Sequence, residues 1–177
     1  MNKKKIDKKK AENYIAISLA VFSFLLFIVI PAYPSSHFDY YLIDIIDNYL
    51  LGNGYYSPPN YPFTSKVINS FSVLLAIILG IFVGIWRKDD IEPDKITKYT
   101  WLGILIIFIM GIYTFFLSLN PQEFRESTLR RSFGTSQSFH NNPITFLAMM
   151  IGKQIWIYIS IRSSLAYLLY KIDNIRK

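Results

Sequence analysis

The side chains with the most unusual chemical setting in this sequence are Lys153 and Arg162, both inside the apolar run Pro143 to Lys171. A fixed charge at bilayer depth costs roughly 2.5 to 3.5 kcal/mol on insertion scales, so each must reach water or a partner. They are nine residues apart, and at about 100° per residue they point to opposite faces of a helix and cannot form one shared site. If a span of about 20 residues is centred between them, both sit close enough to opposite interfaces to snorkel. If the span starts at Pro143, Lys153 lies near the bilayer centre. Its partner is then a backbone carbonyl, a hydroxyl or tyrosine such as Tyr113, or an acidic group on a bound partner. The sequence leaves both registers open.

Other polar sets are candidates for binding rather than catalysis. Asp39, Asp44 and Asp47 fall on one side of a helical projection, with Phe38, Tyr41, Leu42, Ile45, Ile46 and Tyr49 on the other. This amphipathic helix is read as a cover on the outer membrane surface, with docking of a basic partner on its acidic face as the alternative. Ser36 and Asp39 have capping-box spacing, and Gly52 is placed to end the helix. Arg125, Arg130 and Arg131 stand in a polar loop and suit an acidic surface or phosphate headgroups, or simply solvent. Four carboxylates, Asp89, Asp90, Glu92 and Asp94, are interleaved with Arg87, Lys88, Lys95 and Lys98, so they are expected to form a solvated loop rather than a metal site. The two histidines, His37 and His140, lack a third ligand of recognisable spacing. Cysteine is absent, which removes thiolate and disulfide chemistry. No nucleotide loop or nucleophile motif is present, so the expectation is a binding protein, not an enzyme, with no cofactor or metal.

These groups are positioned by four long apolar runs. The chain has 177 residues, 52% hydrophobic, with a formal net charge of +7. Its charges are segregated between uncharged stretches, as in helical membrane proteins. The expected fold is an all-α integral membrane protein, a single domain of four transmembrane helices with an amphipathic helix in the first outer loop. The spans are placed at about 14–33, 67–86, 99–119 and 144–169. Residues 34–66 and 120–143 are outer loops and 87–98 an inner one. Six lysines before Tyr14, four basic residues in the inner loop and three in the tail stand against four in the outer loops. That bias puts both termini in the cytoplasm, and it accounts for the basic balance without nucleic acid. Gly80 and Gly84 have the small-xxx-small spacing of close helix contacts and point to internal packing.

At Pro62-Phe63-Thr64-Ser65-Lys66-Val67, leading into the second span, the sequence resembles the four-helix immunity proteins of colicin A type. Pro62, Ser65, Lys66 and Val67 carry the local likeness. The layout is similar over nearly the whole chain: a basic N-terminus, a long first outer loop, a charged inner loop, an Arg-bearing second outer loop and a Lys-rich tail. The resemblance implies a bacterial inner-membrane protein that protects a producing cell by binding the pore-forming domain of a cognate bacteriocin in the bilayer. Asp39, Asp44, Asp47, Arg125, Arg130, Arg131 and Lys153 are then the candidate contacts. Lys153 matches no feature of the family pattern and inherits no role from it. The competing expectation is a non-catalytic accessory subunit of a transport or export complex.

Overall fold

The computed structural model describes residues 2–50, 57–91, 97–124 and 135–175. Its elements are α1 (Asn2–Val29), α2 (His37–Tyr49), α3 (Pro62–Trp86), a short 3-10 turn (Lys88–Asp90), α4 (Thr100–Leu117), α5 (Gln137–Asn141) and α6 (Pro143–Ile175). The protein is all-α, and α1 from Asp7, α3, α4 and α6 are each long and apolar enough to cross a membrane.

The helix limits differ from the sequence expectation for local reasons. α1 stops at Val29 rather than 33 because Pro31 lacks an amide to continue the ladder, and it runs back through the lysine-rich leader. α3 begins five residues early because Pro62 takes the first helical position, where its missing N–H is no loss. α6 is one helix of 33 residues, about 50 Å long, well beyond the roughly 30 Å hydrocarbon layer. Lys153 and Arg162 therefore lie on one continuous helix.

α3 and α6 form the central pair; α1 packs on both, and α4 packs on α6. The central contact depends on missing side chains. A Cβ on Gly80 would come 3.0 Å from Ile161 Cβ, and one on Gly84 would come 3.1 Å from Leu165 Cβ. Between helices in lipid there is little hydrophobic drive, so close backbone approach of this kind is the main source of association. The expected internal use of Gly80 and Gly84 is what the structure has. Leu19, Val73, Ala76, Val83, Ile157 and Tyr158 fill the core between α1, α3 and α6.

At the end away from the termini, Tyr61 and Phe146 meet edge to face, 5.2 Å apart, and Phe27 meets Tyr61 in the same way. α2 lies over this end of α3, with Ile46 buried against Phe63 and Val67. Its N-terminus is the expected capping box: Asp39 N–H donates to Ser36 Oγ at 3.2 Å, and Ser36 N–H to Asp39 Oδ2 at 2.9 Å. The helix ends at Tyr49, with Leu50 as its cap, before Gly52, which lies outside the described residues.

Candidate functional site

A polar seam runs through the bundle from the α2 end to the end carrying the termini. It starts at Lys153 in α6, whose Nζ donates to Asn69 Oδ1 of α3 at 2.5 Å. Asn69 is fully buried, so an amide oxygen inside the bundle shares the ammonium. One position along α6, Gln154 Oε1 accepts from Ser23 Oγ of α1 at 2.8 Å, and Ser23 also bonds Ser72 of α3 at 2.9 Å. These three side chains are buried and tie α1, α3 and α6 together at one level. Buried Tyr158 and then Arg162 follow at i+4 and i+8 from Gln154, on the same helix face.

The seam closes in an ion cluster. Arg162 Nε lies 2.8 Å from Glu12 Oε1, and its Nη2 donates to Glu12 Oε2 at 3.1 Å. Arg87, at the C-cap of α3, donates to the same carboxylate, and its Nε to Asp90 Oδ2 at 3.3 Å. Lys8 approaches Asp90 at 3.7 Å and donates to the Trp86 carbonyl at 3.3 Å, while Lys88 pairs with Asp173 at 2.7 Å. One glutamate thus bridges two guanidiniums, one at the end of α3 and one on α6, and Asp90 supplies a second carboxylate to Arg87. The hydrogen bond and negative charge of Asp173 hold the Lys88 ammonium above its ordinary range.

Three sequence expectations give way here. Arg162 does not rely on snorkelling, because Glu12 supplies a carboxylate two residues before the first apolar run begins. Counting acids only inside the runs missed it, although continuous helical phase through the leader would have carried Glu12 into the bundle. Tyr113 is not the partner of Lys153: it is 66% exposed, and the amide of Asn69 takes that place. The loop reading of the carboxylates fails at Asp90, which is enclosed by Arg87 and Lys8. Glu92 and Asp94 lie outside the described residues.

The three aspartates of α2 do not form one open acidic face. Asp39 is buried, on the same side as Ile46 seven residues on, with its carboxylate turned back on its own helix start. The backbone amides of Ser35 and Ser36, with help from their hydroxyls, hold it below the ordinary carboxylate range. Asp47 pairs with Lys66 at the start of α3, and exposed Asp44 accepts from Asn48 Nδ2 at 2.8 Å. Phe38, Tyr41 and Tyr49 are exposed rather than packed, because only a narrow strip of α2 meets the bundle. Arg125, Arg130 and Arg131 lie outside the described residues.

The short stretch that carries the likeness has structural work. Pro62 starts α3, Ser65 Oγ donates to the Pro62 carbonyl at 2.8 Å, Lys66 holds Asp47, and Val67 is buried under α2. Thr64 Oγ1 donates to the Pro31 carbonyl at 2.8 Å and so fastens the end of α1. His140 is buried in α5, where its carbonyl accepts from Tyr61 Oη, whereas His37 is exposed at the start of α2. Among the described residues no three His, Cys, Asp or Glu side chains converge as a metal site would require.

Helix lengths and apolar surfaces mark an all-α membrane protein. Comparison with family models, with curated proteins and with solved structures finds no match for this chain.

Proposed function

We propose that this chain is a bacterial inner-membrane immunity protein of the colicin A type, binding the pore-forming domain of a bacteriocin within the bilayer and keeping its channel from opening. Four helices cross the membrane in this reading, with both termini in the cytoplasm and α2 on the outer surface. The observation that carries it is the division of labour in the spans. Lys153 and Arg162 are engaged inside the chain, while α4 turns a nearly continuous apolar surface outward, with only Gly111 buried. Such a surface suits contact with apolar helices of a partner in lipid, where close packing sets affinity. On the outer side, Asp44 and Asp47 are the aspartates of α2 left exposed by the fold, Asp47 beside Lys66, and with Arg125, Arg130 and Arg131 they are assigned the selection of the toxin.

Expression of the chain in sensitive cells is expected to protect against one pore-forming bacteriocin and not against unrelated ones. Failure to block any toxin tested, including one encoded beside it, refutes the proposal. Stoichiometric copurification with other membrane proteins in mild detergent, without toxin, would instead identify an accessory subunit. A reporter that needs an oxidising compartment, inserted near Gly134, is expected to be active; cytoplasmic behaviour there rejects the topology.

A further inference from the structure

α4 leans on α6 and leaves a groove between itself and α3, floored by α6. Its wider part, about 490 Å³, is walled by Ile81, Trp101, Phe108, Leu165 and Tyr167, with Lys171 at the end nearest the termini. A second part of about 280 Å³ continues it past Gly111 to Ile157, sharing Phe108 and Ile161. Among the described residues, no acidic side chain lines either part. Lys171 sits 5.7 Å from the Tyr167 ring centroid, and Lys98 lies at the start of α4 at this same end, 5.9 Å from the ring of Tyr99. The lining is therefore apolar along its length and cationic at one mouth, where aromatic rings mark the level of a membrane interface.

We propose that this groove binds one phospholipid with an anionic headgroup, its phosphate at Lys171 and one acyl chain along α6. Length and volume both select an acyl chain. From Lys171 to Ile157 the groove follows fourteen residues of α6, about 21 Å of rise. That exceeds the roughly 15 Å depth of one leaflet's share of the hydrocarbon layer, so a chain from the nearer leaflet lies within the groove. A partner helix of the same length, roughly 11 Å across, would occupy about 2,000 Å³, more than twice the volume of the two parts of the groove together. A helix would lie over the groove and leave it unfilled. The charge at the mouth selects the headgroup, since a lysine near the surface adds attraction for anionic lipid and none for a zwitterionic one.

The test is native mass spectrometry of the full chain in mild detergent, with phosphatidylglycerol and phosphatidylcholine of identical acyl chains as probes. One phosphatidylglycerol is expected to be retained in preference to phosphatidylcholine, and glycerol phosphate alone is expected not to bind. Lys171→Gln should lower the preference about fivefold, Lys171→Arg should keep it, and Leu105→Trp, a change at a residue lining the wider part that fills the groove, should remove retention of both lipids. Equal retention of the two lipids by the native chain overturns the proposal, as does a preference unchanged in Lys171→Gln or a retained second copy of the chain. If Leu105→Trp does not fold, the pair Lys171→Gln and Lys171→Arg decides alone.

Discussion

α3 and α4 are about equally apolar, yet half of the α3 span is buried in the bundle and only 6% of that of α4. Apolar content qualifies both for the membrane and does not assign their seats. The difference lies in the exceptions to apolarity. α3 carries Asn69, Ser70, Ser72, Gly80 and Gly84, all buried, and through them it gains a hydrogen-bonded seam and close backbone contact with α6. α4 has no charged residue and one tight point, where Gly111 faces Ser160, whose hydroxyl donates to the Ile107 carbonyl at 2.8 Å. Since lipid tails are as apolar as leucine, small and polar residues decide which helix is central.

Matched glycine substitutions should break this comparison most sharply. In Gly84→Leu the new side chain meets Leu165 and the Arg162 carbonyl, at 3.1 and 3.2 Å from its Cβ, and overpacking there is expected to cost about 3 kcal/mol. In Gly103→Leu on α4 nothing lies within 4 Å of the new Cβ, and the change should stay within about 0.5 kcal/mol. Reversible unfolding in mixed detergent measures both. Equal losses would mean that burial in the bundle does not separate the two helices.

The ion cluster is next in size. Glu12→Gln leaves Arg87 and Arg162 without their shared carboxylate. Arg162 is 27% exposed and Arg87 15%, so solvent relieves part of the loss, and about 2 kcal/mol is expected rather than the full value for a sealed pair. The same unfolding assay should show the effect in Glu12→Gln and not in Asp7→Asn, which lies on the exposed side of α1. An unchanged Glu12→Gln protein would return Arg162 to a snorkelling role.

How much of this was readable in advance follows from the range of each interaction. The four apolar runs and the capping box of Ser36 and Asp39 are local patterns, and the structure keeps them with modest shifts at the ends. The close contact at Gly80 and Gly84 was legible as a spacing, though its partners Ile161 and Leu165 were not. Lys153 and Arg162 stood out because charge in an apolar run is rare; their partners Asn69 and Glu12 are 84 and 150 residues away. Nothing in local spacing marks such a pair. The helical projection of α2 failed at Asp39 because a capping carboxylate folds back on its own backbone and is then easily buried.

A cycle of Lys153→Met, Asn69→Leu and the double variant isolates the contact at the top of the seam. Hydrogen bonds between membrane helices average about 0.6 kcal/mol and reach about 1.7; a coupling of about 1 kcal/mol is expected here, because the donor is charged and the acceptor buried. A coupling near zero would mean that Asn69 does not hold the ammonium and would remove the upper end of the α3 seam.

The smallest expected effect concerns the other end of α3, where Lys88 holds Asp173 of α6, whereas α4 has no charge with which to do the same. The hydrogen bond to Asp173 and its negative charge raise the Lys88 ammonium above the 10.5 of an ordinary lysine. A group whose affinity for its proton rises on folding stabilises the fold fully below its unfolded pKa and loses that contribution as pH climbs through the folded one. Stability of the native chain minus that of Lys88→Met should therefore be constant at neutral pH and shrink as pH rises beyond about 10.5. The amplitude is small because Lys88 and Asp173 are 32% and 41% exposed, so water and salt screen the pair. A difference that grows with pH would reverse the sign of the argument, and one that falls between pH 6 and 8 would point to a group other than Lys88.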